Sequence, residues 1–257
     1  MYHADDCIAV FDSGVGGLSV LRHLRIQLPE EKFLYFGDSA NAPYGKRSTQ
    51  AVRALTLRSV ERILAEYPVK ALVVACNTAT AAAIWDLRRR YPTLIVIGIE
   101  PALKLAADHH PGGNIGVMAT EVTLREEKFD TLLHRFDKDR VIYKISAPGL
   151  VELIEAGRAG GPEAEALLQK VLGPYVGRLD ALVLGCTHYP FVRHQIAAIL
   201  GPQVEILHGG PGTARETKRR LAEAGLLRRG RGEIILKNSA GEEMNALARK
   251  LLEESEE

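Results

Sequence analysis

Short apolar runs recur along the whole chain, each followed by a stretch long enough for a helix, and this rhythm constrains the fold more than any other feature. The runs are Cys7 to Phe11, Phe33 to Gly37, Ala71 to Ala75, Leu94 to Ile99, Asn114 to Met118, Val141 to Ser146, Ala181 to Gly185 and Val204 to Leu207. Apolar runs of this size bounded by turn residues read as buried strands. The stretches between them are amphipathic. Val60, Ile63, Leu64 and Tyr67 fall at i, i+3, i+4 and i+7, the spacing of one buried helical face. Alternation of this kind predicts βαβ units around mostly parallel sheets, an α/β fold. A chain of 257 residues has room for one large domain or two of about a hundred residues each.

Two internal echoes favour two related halves. ALVVACNTAT (Ala71 to Thr80) aligns with ALVLGCTHYP (Ala181 to Pro190), which sets Cys186 opposite Cys76 at an offset of 186 − 76 = 110. IAVFDSG (Ile8 to Gly14) resembles IGVMATE (Ile115 to Glu121) at a similar offset, 115 − 8 = 107. By composition, Pro111-Gly112-Gly113 is a plausible junction between the halves. The tail from Gly209 onward reads as mostly helical, with one further strand near Glu233 to Lys237.

A formal charge of +1 gives no electrostatic reason to expect nucleic acid or a membrane surface as partner. The basic runs at Arg88 to Arg90, Lys218 to Arg220 and Arg228 to Arg231 read as solvated faces. No apolar run approaches the ~20 residues of a membrane span, and MYHADDC lacks the layout of a signal peptide, so a cytoplasmic protein is expected. Three cysteines without a CxxC pair fit a reducing compartment. There a cysteine is inert filler, a metal ligand or a reactive thiol.

In open parallel sheets ligands bind beyond the carboxyl ends of the strands. The residues there are polar: Asp12-Ser13-Gly14-Val15-Gly16-Gly17, Asp38-Ser39-Ala40-Asn41-Ala42-Pro43-Tyr44-Gly45, Asn77-Thr78 and Thr187-His188. DSGVGG has Ser19 where a dinucleotide fingerprint needs its third glycine, and Gly45-Lys46-Arg47 departs from a Walker loop. Cys76 and Cys186 each stand at a strand end before an expected helix, whose N-terminus favours a thiolate. Cys7 lacks polar neighbours and reads as structural. His188 is open to three roles: partner of Cys186, metal ligand, or cap of the next helix. A zinc site wants three or four ligands, which Cys186-Thr187-His188 and His109-His110 do not supply, so no metal is expected. Among the acids, Asp12 and Asp38 sit at strand ends, while Glu152 and Glu155 share a helical face.

The set FDSGVGGLSVL, YFGDSANAPYG, VVACNTATA, IGIEPA and LGCTHYP, in that order, resembles glutamate racemase of the aspartate/glutamate racemase superfamily. The resemblance runs from about Ile8 to about Leu200. It implies two pseudo-symmetric α/β domains, residues 1–98 plus 209–257 carrying Cys76 and residues 99–208 carrying Cys186, with the active site in the cleft between them. It further implies L-glutamate to D-glutamate interconversion without a cofactor, for peptidoglycan synthesis, by a homodimer. Cys76 and Cys186 would then be the acid–base pair, assisted by Asp12, His188 and Glu155. Ser13, Tyr44, Gly45, Asn77, Thr78, Thr120 and Thr187, with Asp12 and His188, would bind the substrate. Relatives acting on aspartate, a hydantoin or maleate are the alternative. One departure stands out: His208-Gly209-Gly210 replaces the acidic residue common after the Val204 strand.

Overall fold

The structure is a computed structural model describing residues 2–125, 131, 133–136 and 140–253. Strands are β1 (Cys7–Asp12), β2 (Lys32–Gly37), β3 (Val69–Val74), β4 (Ile95–Gly98), β5 (Ile115–Ala119), β6 (Ile142–Ser146), β7 (Ala181–Leu184), β8 (Glu205–His208) and β9 (Glu233–Asn238). Helices are α1 (Leu18–Gln27), α2 (Thr49–Glu66), α3 (Asn77–Arg90), α4 (Leu103–His109), α5 (Glu121–Arg125), α6 (Leu150–Glu155), α7 (Pro162–Leu172), α8 (Arg193–Leu200), α9 (Gly210–Glu223) and α10 (Glu242–Glu253). Residues 254–257 of the helical tail lie outside the described residues.

The strands form two sheets, ordered β4-β3-β1-β2-β9 and β6-β5-β7-β8, and every pairing among the described residues is parallel. The order β2-β1-β3-β4 in the first matches β6-β5-β7-β8 in the second. Strands β1 and β5 carry one sequence echo, and β3 and β7 the other. The cysteines therefore follow strands at the same post in each sheet.

The chain divides into two compact units, Met1–Glu100 with Gly210–Glu254, and Pro101–Gly209. Pro111-Gly112-Gly113 is not their junction. Helix α4, just before it, packs on β5, β7 and β8, so this turn lies inside the second unit and leads into β5. Its sharpness comes from Gly112 at φ 72°, where glycine has no Cβ to clash.

In the first unit Ile8, Ala9, Val10 and Phe11 have no exposed surface, as expected of a central parallel strand covered on both faces. Burying a side chain such as Phe11 contributes about 1.5–3 kcal/mol. The expected face of α2 packs inward through Val60 and Ile63, with Leu64 and Tyr67 partly buried beside them. Strand β9 returns the tail to this unit by pairing with β2 from Lys32↔Glu233 to Gly37↔Asn238. At the amino end of the sheet the Lys70 ammonium, with no exposed surface, meets Glu31 Oε2 at 2.6 Å. It also donates to the carbonyls of Ala4 and Leu226, while Glu31 Oε1 accepts Arg228 N–H at 2.9 Å. In the second unit the core lies between β5, β6 and β7 and the helices α6, α7 and α8, through Met118, Leu150, Ile154, Leu168, Leu184 and Ile196.

The basic runs are largely paired: Arg89 with Asp86, Arg90 with Glu61, and Arg219 with Glu216 and Glu223. No helix among the described residues is long and apolar enough to cross a membrane.

Candidate active site

The first cluster forms where β1, β2 and β3 end. Cys76 is the N-cap of α3, and its sulfur accepts the Ala79 N–H at 3.4 Å. A side-chain acceptor at this position satisfies one of the orphan donors of the first turn, and the helix dipole favours negative charge there. The sulfur also reaches Ser13 Oγ at 3.5 Å. Ser13 arrives there because β1 runs beside β3, with Phe11 opposite Val74. Asp12 is completely buried and its Oδ2 accepts the Gly14 N–H at 3.0 Å. The glycine loop is therefore partly an anion cradle for the chain's own carboxylate. Gly17 is required by close approach, since a Cβ there would lie 2.7 Å from Asp12 Cβ. Asn77 and Thr78 open α3 and are buried, and Asn77 Oδ1 has no hydrogen-bond partner among the described residues.

Tyr44 is buried in the loop after β2, with Gly45 half-buried in the same 3-10 turn. Its hydroxyl donates to Asp38 Oδ2 at 2.7 Å, and Asn41 Nδ2 donates to both oxygens of that carboxylate. Burial, then the charge and hydrogen bond of Asp38, then the charges of Cys76 and Asp12 push the Tyr44 hydroxyl far above its ordinary pKa. Asp38 is thus the anchor of Tyr44. At sequence level it was one strand-end acid among several; its partner six residues on was invisible without the turn between them.

The second cluster follows β7. Cys186 Sγ lies 3.8 Å from His188 Nδ1, and His188 Nε2 lies 2.6 Å from Glu155 Oε1. Thiol, imidazole and carboxylate form one chain, with Thr187 buried between the first two. Burial alone would lower the His188 pKa, but its hydrogen bonds to Cys186 and Glu155 and their charges outweigh that and raise it well above the ordinary value. His188 is not a helix cap: its side chain makes no cap hydrogen bond to the following 3-10 turn, Tyr189–Val192. The helix-terminus expectation for Cys186 also fails, because that turn intervenes before α8. At this cysteine the neighbouring group able to carry positive charge is the His188 ring. Thr120 directly follows β5, which pairs with β7, and precedes α5, its hydroxyl accepting the Thr123 N–H at 3.3 Å. Burial first, then the charges of Cys186 and of Glu152 on α6, push the Tyr189 hydroxyl well above its ordinary pKa and hold it protonated.

Residues away from these clusters have other work. Burial pushes the Cys7 thiol up to about 11, so it stays protonated and inert at neutral pH. His109 and His110 both reach the Glu205 carboxylate, at 2.9 and 2.8 Å.

Because His188 is raised on folding, its pairing stabilises the protein fully below the unfolded value of about 6.5 and progressively less as pH rises through the folded value. Glu155→Gln removes the charge that holds the proton, leaving burial less opposed. A histidine NMR titration of that variant is expected to place His188 at least about one unit lower than in the parent, about 1.4 kcal/mol of lost pairing. An unmoved titration would refute the Glu155 contribution.

The fold has counterparts in known proteins. A family profile described as Asp/Glu/Hydantoin racemase matches residues 17–217. Over 250 residues, 96% of each chain, the sequence is 45% identical to a glutamate racemase of Clostridium perfringens SM101. The structure is similar to that of a glutamate racemase isoform from Bacillus anthracis, with TM-score 0.88, 32% identity and coverage of 98% of this chain and 96% of that one. It is also similar to the Francisella tularensis glutamate racemase in complex with D-glutamate, with TM-score 0.84, 26% identity and coverage of 98% and 95%. With its two all-parallel sheets and a cysteine after the same strand of each, the chain is an amino acid racemase and belongs to the Asp/Glu/Hydantoin racemase family.

Proposed function

We propose that the protein interconverts L-glutamate and D-glutamate without a cofactor, with Cys76 and Cys186 as its two acid–base groups. It would act in the cytoplasm as a homodimer and supply D-glutamate for peptidoglycan synthesis. The observation that carries this reading is that the two cysteines follow equivalent strands, each with a different source of positive potential beside its sulfur: the α3 N-terminus for Cys76, His188 for Cys186. The Francisella relative, bound to D-glutamate, supports the choice of substrate.

Inverting an α-carbon requires one group to take the proton from one face and another to return a proton to the opposite face. In the proposed reaction one thiolate accepts the α-proton, forming S–H as the Cα–H bond breaks. The other thiol gives its proton to the planar carbanion-like intermediate and is left as thiolate. The reverse substrate exchanges the roles. A free thiol is only a few per cent ionised near neutral pH, so each sulfur needs help to become a base without losing its competence as an acid. The helix dipole and the imidazolium give that help. Glu155 holds His188 in its charged form and correct orientation, a positioning role. Ser13, Thr78, Thr120 and Thr187 would bind the carboxylates through hydroxyls, and Tyr44 and Gly45 through backbone N–H groups. The buried Asn77 Oδ1 lacks a donor among the described residues, and the substrate ammonium would provide one.

The test is incubation of the purified protein with each glutamate enantiomer in deuterium oxide, following optical rotation and α-hydrogen exchange together. Racemisation with deuterium at the α-carbon is expected from either hand. Racemisation confined to another amino acid would overturn the substrate assignment, and absence of exchange with any ligand would overturn the reaction.

A further inference from the structure

The end of β9 reaches across to the loop that carries Asp38 and Tyr44. Asn238 Nδ2 donates to Ser39 Oγ at 3.0 Å, and Ser239 Oγ accepts the Ala40 N–H at 3.0 Å. The backbone joins them, since Ser239 N–H donates to Gly37 O at 2.9 Å. Asn238 is itself braced, its Oδ1 accepting the Ala240 N–H at 2.9 Å. Glycine at position 37 allows this packing: a Cβ there would lie 2.4 Å from Gly14 O and 2.7 Å from Asn238 Nδ2. Gly14 O also accepts the Tyr35 hydroxyl at 2.7 Å, so the DSGVGG loop, the β2 end and the β9 end form one packed layer. Immediately beyond it Asp38 holds Tyr44, whose hydroxyl senses the charges of Asp38, Cys76 and Asp12.

We infer that Asn238 and Ser239, from the C-terminal tail, are positioning residues for the Cys76 half of the site: they clamp the Asp38–Tyr44 loop and so fix where Tyr44 meets the substrate. The inference rests on the proposed function for its kinetic consequences. The clamp is a hydrogen-bonded splint between two segments about two hundred residues apart in sequence, and neither residue is called on to touch the reacting atoms. Loss of one such bond leaves the loop attached but less confined.

The experiment combines kinetics with amide exchange. Ser239→Ala and Asn238→Ala are each expected to raise KM for glutamate about 2- to 10-fold, the worth of one hydrogen bond, with kcat within about twofold. Ser239→Thr keeps the hydroxyl and should retain the parental KM. In a Tyr44→Phe background Ser239→Ala should raise KM no further, because the clamp acts through Tyr44. In the same Ser239→Ala protein the Ala40 amide should exchange with deuterium at least severalfold faster. An unchanged KM, an undiminished effect in the Tyr44→Phe background, or unaltered Ala40 exchange would each overturn the clamp. If the parental protein failed to turn over glutamate, the substrate reading would fall, and amide exchange alone would decide whether Ser239 holds the loop.

Discussion

Cys76→Ser and Cys186→Ser are each expected to lose at least about a thousandfold in racemisation of either glutamate enantiomer, within the range that positioned acid–base groups contribute. A serine hydroxyl at either post is far too weak an acid to ionise with the help available, whether from the α3 N-terminus or from His188. Loss at one post alone suffices. In the proposed reaction the substituted post could neither accept the proton from its face nor supply one, and turnover of each enantiomer would use both faces. Steady-state polarimetry of the two variants checks this, and either one racemising at the parental rate would dismantle the two-thiol assignment. Both substitutions are nearly isosteric, so circular dichroism should remain parental.

Lys70→Met is expected to destabilise the fold by about 3–5 kcal/mol, the cost of stripping one partner from a buried ion pair. Lys70 and Glu31 are both essentially without exposed surface, and the ammonium has its three contacts in Glu31, Ala4 O and Leu226 O. Removing it leaves the Glu31 carboxylate in the interior with, among the described residues, only the Arg228 N–H at 2.9 Å. The double variant Lys70→Met/Glu31→Leu should recover most of the loss, because no charge then stays buried without its counterion. Urea denaturation followed by far-UV circular dichroism measures both. Equal destabilisation of the single and double variants would show that packing, rather than the stranded charge, sets the penalty.

The central strands β1, β3, β5 and β7 were legible because a parallel strand buried on both faces is written as an apolar run, and all eight expected runs, with the further strand expected in the tail, form strands. The matching order of the two sheets was foreshadowed by the paired echoes, each of which falls on equivalent strands. Composition misled at Pro111-Gly112-Gly113, where turn residues mark a tight connection within a unit as readily as a boundary between units. The helix expected directly after Cys186 was misplaced for a similar local reason: Pro190 at the start of a 3-10 turn delays α8 to Arg193.

Of the candidate site, chemical identity and strand-end placement could be read from spacing, since a residue that follows a buried run in an α/β sheet must emerge at its carboxyl end. That reasoning singles out Cys76, Cys186, Asp12, Asp38 and His188. Spacing could not join Glu155 to His188, thirty-three residues later, although the resemblance named both as helpers of the cysteine pair, nor could it join Tyr44 to Asp38 or Ser239 to Ala40. Periodicity and run length report which backbone groups a segment must bury or pair locally, and so the sequence by itself determined the strands, the helices and the posts of the thiols. Hydrogen bonds between distant side chains depend on how those elements stack in three dimensions, and only the tertiary structure decided which carboxylate holds the imidazole and what fastens the tyrosine loop.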